Sequence, residues 1–333
     1  MKDWTAFDTR LNTAGPWQWG ALVDAGARAL LDAGISAPRR TARWLVEGIR
    51  GVNAASLIAW EEQEAGMDDV QLFEEAIGRC RRHEPLQYVL GTVDFCGIRL
   101  RVTPDVLIPR PETELVVQAA LRCIKAYPGA RVLDVGTGSG CIALAMKEAR
   151  SDLHVVACDI SQAALRVAEE NARSLDLAVS FVQADILSPV SGFSVTRPFN
   201  LIVSNPPYVP EDEYSALPYN VRGFEPAVAL TCGKDPLRFY RAISRLQPFV
   251  TPGGSLVLEV HADYGPRVQR HLVESGYGGV TLHHDLAGLP RIVTATKHFT
   301  AAHAYQNSTD SATRVPSSRG QSSPRTGQAG ESG

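Results

Sequence analysis

The predicted buried strand Val132–Val135, within Arg131-Val-Leu-Asp-Val135, breaks into Gly136-Thr-Gly-Ser-Gly140 and gives way to the helix-prone stretch Cys141–Glu148. A strand that feeds a glycine-rich turn and then a helix narrows the fold more than anything else in this chain. It belongs to sheets whose parallel strands are joined by crossing helices. The glycines let the backbone approach a ligand closely and present N–H groups at a helix start. The alternation continues. Further strands are predicted at His154–Cys158, Phe181–Gln183, Leu201–Ser204, Ser255–Val260, Gly279–His283 and Ile292–Thr296, and helices at Gln162–Ser174 and Pro236–Leu246. The expected class is α/β: a doubly wound, mainly parallel seven-stranded sheet over residues 112–298, with its ligand at the carboxyl ends of the strands.

Other parts of the chain read differently. Residues 1–85 carry apolar side chains at helical steps, as in Ala21, Leu22, Ala25, Ala29 and Leu30, and again in Trp44, Leu45 and Ile49. Gly34 and Pro38 punctuate them, which predicts a small N-terminal helical bundle. Residues 86–111 are β-prone at Tyr88–Thr92, Phe95–Val102 and Val106–Ile108, and read as a hairpin linker. Residues 299–333 are mostly Ser, Thr, Gly, Gln and Arg. Too few apolar groups are present there to offset ordering entropy, so a disordered tail is expected.

Composition excludes some functions. The net charge of -3 argues against an extended grip on nucleic acid. The six cysteines form no C-x-x-C pair, so neither a zinc site nor a disulfide framework is expected, and no metal is assigned. No apolar run reaches membrane-spanning length and the start of the chain has no apolar signal core. The expectation is a cytoplasmic protein with no membrane association.

The chemistry concentrates at two places. Asp159 closes the second strand, where a carboxylate accepts hydrogen bonds from ribose hydroxyls; a helix cap is its plainer role. Asp185 follows the third strand and either meets an adenine amino group or caps a helix. Asp134 either orients the amino-acid portion of a cofactor or caps the glycine turn. Cys141 stands where a dinucleotide fingerprint wants glycine or alanine, which disfavours NAD. After the fourth strand comes Asn205-Pro-Pro-Tyr208. Either this is a plain proline turn, or the Asn205 side-chain oxygen and the Pro206 carbonyl can accept the two N–H bonds of a planar NH2 group, whose delocalised lone pair makes it a poor nucleophile. Pro206 and Pro207 stiffen the corner, and Tyr208 offers a flat face.

The glycine loop with an acid at the second strand's end resembles the class I S-adenosylmethionine-dependent methyltransferases, which are Rossmann-like, and the tetrapeptide resembles their amino-methylating members. With Glu84-Pro-Leu-Gln-Tyr-Val-Leu-Gly91, Leu107-Ile-Pro-Arg-Pro-Glu-Thr-Glu114 and Phe224-Glu-Pro-Ala-Val-Ala-Leu230, the chain is similar to the release factor glutamine methyltransferase family (the HemK/PrmC type) over roughly residues 20–297. That resemblance implies S-adenosyl-L-methionine as cofactor and the Gly-Gly-Gln glutamine of class I peptide chain release factors as acceptor. It also implies a helical N-terminal domain that helps hold the partner. Gly136, Thr137, Gly138, Ser139, Gly140, Asp159, Asp185, Ile186 and Asn205 would meet the cofactor. Asn205, Pro206, Pro207 and Tyr208 would hold the glutamine and serve catalysis. Arg110 and Glu112 would lie near the pocket mouth, or equally form a surface ion pair. Ile186 stands where relatives often carry an aromatic residue. Glu259-Val-His-Ala-Asp-Tyr264 and Leu289-Pro290 before Arg291 also depart from the family pattern.

Two rival classes remain. An adenine-amino methyltransferase acting on DNA or RNA would share the loop and tetrapeptide, but should carry a basic, aromatic target-reading region. The first 85 residues hold more acidic than basic side chains, and no direct nucleic acid contact is expected. A binding module that has lost turnover would lack the reason to keep Asn205-Pro-Pro-Tyr208.

Overall fold

The computed structural model describes residues 16–188 and 197–298; the tail expected over 299–333 lies outside them. The N-terminal part folds as four helices, α1 (Trp19–Asp32), α2 (Pro38–Arg50), α3 (Ala54–Ala59) and α4 (Met67–Arg81), followed by the short α5 (Leu86–Leu90). Local chemistry marks the ends. Pro38 starts α2 where its missing N–H costs nothing, and Asn53 caps α3 by accepting from the Ser56 N–H at 2.9 Å. Leu22, Leu30, Leu45 and Phe73 form the bundle core. Burial of each such side chain contributes about 1.5–3 kcal/mol. Helices α1 and α4 approach closely at Gly26, where a Cβ would lie 2.6 Å from the Phe73 ring. Trp44, expected on the apolar face, is 43% exposed instead. The Arg40 guanidinium covers its ring at 4.9 Å.

Residues 88–90 are helical, contrary to their β propensity. Their tertiary partner explains the difference. Arg79 is held by Glu84 through two hydrogen bonds of 2.9 and 2.5 Å, and it donates to the carbonyls of Tyr88 and Val89 at 3.0 and 3.2 Å. Those end-of-helix acceptors are thereby satisfied, and tertiary context overrides a weak local preference. A two-stranded hairpin follows, β1 (Thr92–Phe95) against β2 (Ile98–Arg101). Val106 and Ile108 form no strand. They are buried beside Tyr88, Ala164 and Val167, and the Tyr88 hydroxyl donates to the Val106 carbonyl at 2.5 Å. This cluster joins the bundle to the rest of the chain.

The remaining elements build a seven-stranded sheet covered on both faces and a small two-stranded pair beside it. Helix α6 (Pro111–Cys123) precedes β3 (Arg131–Val135), and α7 (Cys141–Ala149), β4 (His154–Asp159), α8 (Gln162–Ser174) and β5 (Ser180–Gln183) follow. Next are β6 (Phe199–Ser204), the short β7 (Val209–Pro210), the single-turn helices α9 (Glu211–Tyr214), α10 (Tyr219–Arg222) and α11 (Ala227–Leu230), and β8 (Thr231–Gly233). The chain closes with α12 (Arg238–Ser244), β9 (Val250–Glu259), α13 (Gly265–Glu274), β10 (Tyr277–His284) and β11 (Pro290–Lys297). The seven-stranded order is β10-β11-β9-β6-β3-β4-β5, with β11 antiparallel to both neighbours and the ladders from β9 to β5 parallel.

Consecutive strand residues go to opposite faces. Val132, Leu201 and Val257 pack under α6 and α7, whereas Leu133, Ile202 and Leu258 pack under α12 and α13. Two covered faces explain why these strands read as continuous apolar runs rather than alternating ones. From β3 the chain winds outward through β4 and β5, then returns to β6 on the other side of β3. A crevice opens where that direction reverses.

Candidate active site

A cavity of about 370 Å³ occupies this crevice, and the carboxyl ends of β3, β4, β5 and β6 all contribute to its lining. Of the residues singled out above, Gly136, Gly138, Asp159, Asp185, Ile186, Asn205, Pro206 and Pro207 face it. Sequence reasoning missed the far wall, formed by Val228, Thr231, Phe239 and Ile243. Phe239 and Ile243 come from α12, Val228 from the excursion between β7 and β8, and Thr231 from the start of β8. That excursion is pinned where β7 pairs with β8 at Val209 and Thr231.

The glycine loop presents open backbone rather than free donors. The N–H groups of Gly136 and Thr137 both go to the Cys158 carbonyl, at 2.8 and 3.0 Å. The Gly138 N–H goes to Asp159 Oδ2 at 2.9 Å. Gly138 has φ of 55°, and a Cβ there would meet nothing within 4 Å. Glycine is required for that backbone, and the space a side chain would fill is left open to a ligand. Thr137, Ser139 and Gly140 are not among the cavity-lining residues. The Thr137 hydroxyl donates to Asp134 Oδ2 at 2.7 Å, so Asp134 caps the turn, fully buried. Burial pushes the Asp134 carboxyl up to about 7, against the lowering effect of that hydrogen bond. The Ser139 carbonyl accepts from Asn171 Nδ2 at 2.9 Å, and the same side chain bonds both backbone groups of Arg101. Asn171 thus ties the loop to the hairpin, and nothing in the local pattern of α8 announces it.

Asp159 does not cap α8; Ser161 does, accepting from the Ala164 N–H at 3.1 Å. The Asp159 carboxylate instead receives the N–H groups of Gly138 and Ser161, each at 2.9 Å. Burial raises its pKa, and these donors pull it back. Each carboxylate oxygen accepts more than one hydrogen bond, so capacity toward the cavity remains. Asp185 closes a tight turn by accepting from the Leu187 N–H at 2.8 Å and the Ser188 hydroxyl at 3.0 Å. Ile186 supplies an aliphatic wall, and Phe239 adds an aromatic one.

The Asn205-Pro-Pro-Tyr208 corner is braced from behind. Asn205 Nδ2 donates to Thr113 Oγ1 at 3.1 Å. The Thr113 hydroxyl donates to Glu259 Oε2 at 2.7 Å, and the Tyr208 hydroxyl donates to Glu259 Oε1 at 3.1 Å. Tyr208 is not among the cavity-lining residues; its ring packs near His261, with centroids 5.9 Å apart. His261 and Tyr264, from the segment that departs from the family pattern, both reach Glu213 of α9, at 3.4 and 3.1 Å. Burial pushes Glu259 up to about 7, with Thr113 and Tyr208 pulling it back.

Arg110 and Glu112 do not pair with each other at the surface. Arg110 forms an ion pair with Glu225, whose side chain is 1% exposed and also accepts from the Ile108 N–H at 3.0 Å. Glu225 is the acid of the Phe224-Glu-Pro226 motif, whose role only the tertiary structure reveals. Beside this pair lies a second, polar cavity of about 430 Å³, lined by Arg40, Trp44, His83, Gln87 and Asn220 among others.

A family model described as methyltransferase small domain matches residues 114–217, and one described as PrmC N-terminal domain matches residues 21–91. A release factor glutamine methyltransferase of Bacteroides thetaiotaomicron is 42% identical over 227 residues, 67% of this chain and 80% of that protein. One from Deinococcus radiodurans is 37% identical over 277 residues, 83% of this chain and 97% of that protein. The chain belongs to the release factor glutamine methyltransferase family. Another member, from Geobacter sulfurreducens, is 34% identical and covers 83% of this chain and 96% of its own length. A solved protein-(glutamine-N5) methyltransferase from Alicyclobacillus acidocaldarius is 32% identical, with 60% of this chain and all of that chain covered and a TM-score of 0.37. Among the described residues, no helix is long and apolar enough to cross a membrane, and no cluster of metal-ligating side chains occurs.

Proposed function

We propose that this chain moves a methyl group from S-adenosyl-L-methionine onto the side-chain amide nitrogen of the glutamine in the Gly-Gly-Gln loop of class I peptide chain release factors. One observation carries the reading: Asn205, Pro206 and Pro207 line the same cavity as Asp159, Gly136 and Gly138. The residues present fit the cofactor. A carboxylate with spare acceptor capacity, open glycine backbone, the Asp185 turn and the apolar walls of Ile186 and Phe239 suit an adenosyl group. When bound, S-adenosylmethionine supplies an electrophilic methyl carbon on a sulfonium.

The chain's own residues do the rest. Asn205 Oδ1 and the Pro206 carbonyl accept the two N–H bonds of the incoming amide, hold its plane, and draw electron density onto nitrogen. The prolines fix the corner before substrate arrives, and such pre-positioning is worth about 7–11 kcal/mol in favourable cases. No side chain need act as a nucleophile. Tyr208 supports the corner from its outer side. Arg110, locked by Glu225, borders the polar cavity beside the mouth. The helical bundle lines that cavity with Arg40 and Trp44 and holds the flanks of the release factor.

The discriminating experiment uses methyl-labelled cofactor with either a class I release factor or unmethylated duplex DNA. Label transferred to the release factor is expected. Label on DNA alone would replace this reading with the adenine methyltransferase one, and cofactor binding without any transfer would favour a binding module.

A further inference from the structure

We propose that Thr113 and Glu259 are positioning residues that set which way round the Asn205 amide lies, and so whether the corner presents an acceptor to its substrate. The inference rests on the methyl-transfer reading above. A carboxamide is nearly symmetric in shape, and a half-turn of the group exchanges its oxygen for its NH2. Only its hydrogen-bond partners decide between the two. For a corner that must accept N–H bonds, that choice separates a working site from a blocked one.

With Glu259 ionised, the network leaves one arrangement. Thr113 has a single hydroxyl proton. Glu259 as a carboxylate only accepts, and it takes that proton at 2.7 Å. Thr113 therefore has only lone pairs left for its other neighbour. Asn205 meets it with Nδ2, at 3.1 Å, and itself lines the cavity; with Nδ2 so engaged, Oδ1 is the atom left for a substrate donor. The flipped amide would set two lone-pair oxygens face to face and leave the NH2 aimed at the substrate's own NH2. The same carboxylate takes the Tyr208 hydroxyl on its other oxygen, so one acid grips both ends of the four-residue corner.

Neither residue lines the cavity. Thr113 and Glu259 are 1% and 2% exposed, and act through Asn205 and Tyr208. Their placement follows from the fold. Glu259 ends β9, next to β6 in the sheet, where Ser204 pairs with Leu258. Thr113 sits in the first turn of α6, buried against that strand end. Burial works against the charged form of Glu259, as its raised pKa reflects, so packing alone does not explain an acid there.

The test compares wild type with T113V, T113S and E259Q. For each, kcat and KM are measured with a release factor, and S-adenosylhomocysteine affinity by calorimetry. The side-chain amide resonances of Asn205 are followed by NMR. T113V keeps the shape but removes the hydroxyl. Its kcat should fall about tenfold to a hundredfold, the range for loss of a partner that orients a functional ligand. Cofactor affinity should stay within about twofold, because neither residue reaches the cavity. T113S, with its hydroxyl, should restore most of the rate. E259Q should lower kcat as well, since an amide at 259 can donate to Thr113 and free its proton for Asn205 Oδ1.

A T113V rate within about twofold of wild type, a loss confined to KM, or equal impairment in T113S would overturn the proposal. A wild type that binds cofactor but does not methylate the release factor would sink the substrate reading instead. The Asn205 resonances then still decide the amide's orientation: no change between wild type and T113V would overturn it.

Discussion

The Asn205 NH2 is engaged by Thr113, and the residue lines the cavity; the proposed reading gives its oxygen to the substrate. Asn205→Ala removes both the acceptor and the brace. Loss of one pre-organised polar group of this kind costs about a hundredfold to a thousandfold in kcat. Steady-state kinetics should show that loss, while calorimetry shows cofactor affinity changed little. Asp134 makes a different prediction. Its ordinary value of 3.8 is raised to about 7 in the folded chain, because burial penalises the charge. The folded state holds that proton more tightly than the unfolded chain does. The stability it contributes is therefore complete below about pH 4, and is lost as pH rises through about 7. Asp134→Asn escapes this loss. Its melting temperature relative to wild type should climb by on the order of a few degrees between acid and alkaline pH, and a flat difference would contradict the assignment. Residues of this kind were unequally legible. Asn205-Pro-Pro-Tyr208 announces itself because its chemistry is local. Thr113, which lies 92 positions away from Asn205, does not, because its role exists only once α6 packs on the strand ends.

At the scale of elements, the joint between the β7–β8 excursion and the segment before α6 depends on Glu225. It holds the Ile108 N–H and the Arg110 guanidinium, and is itself buried. Glu225→Ala leaves a buried backbone donor without its partner and frees a half-buried cation. A cost of about 1–3 kcal/mol is expected in urea unfolding. Faster hydrogen exchange at residues 106–110 should accompany it, and unchanged exchange would show that the joint is held elsewhere. Some elements were readable and others were not, for physical reasons. The strands around β3 are apolar on both faces and stand out as continuous runs. Helix α8 spans the predicted Gln162–Ser174. The β-prone residues Tyr88 and Val89 are helical in α5, where Arg79 takes their carbonyls. Helices α6 and α13 went unassigned. Each opens on or next to a proline, which reads as a break and serves as a first-turn residue. Phe239 and Ile243 escape notice because the local sequence of α12 carries no ligand signature, and Val228 because the Phe224–Leu230 motif does not say which of its residues meets the cavity.

For the whole molecule, the arrangement separates two tasks. At the sheet's switch point one cavity is lined by the glycine loop, Asp159 and the corner, and the helical bundle borders a second, polar cavity. If the bundle grips the release factor, Trp44→Ala should raise KM for that protein with little change in kcat or in cofactor affinity. An unchanged KM would move the partner surface elsewhere. The exposed ring under Arg40 suits such a contact, where an aromatic anchor often contributes at least about 2 kcal/mol. The central claim is that the Asn205–Pro206 corner delivers one particular amide to the methyl donor. Mass spectrometry of release-factor peptides, after incubation with the full chain and S-adenosylmethionine, tests it most directly. The account predicts one added methyl group on the side-chain nitrogen of the Gly-Gly-Gln glutamine, absent when Asn205→Ala replaces the wild type. Methylation at any other residue, or at that glutamine undiminished by the substitution, would contradict it.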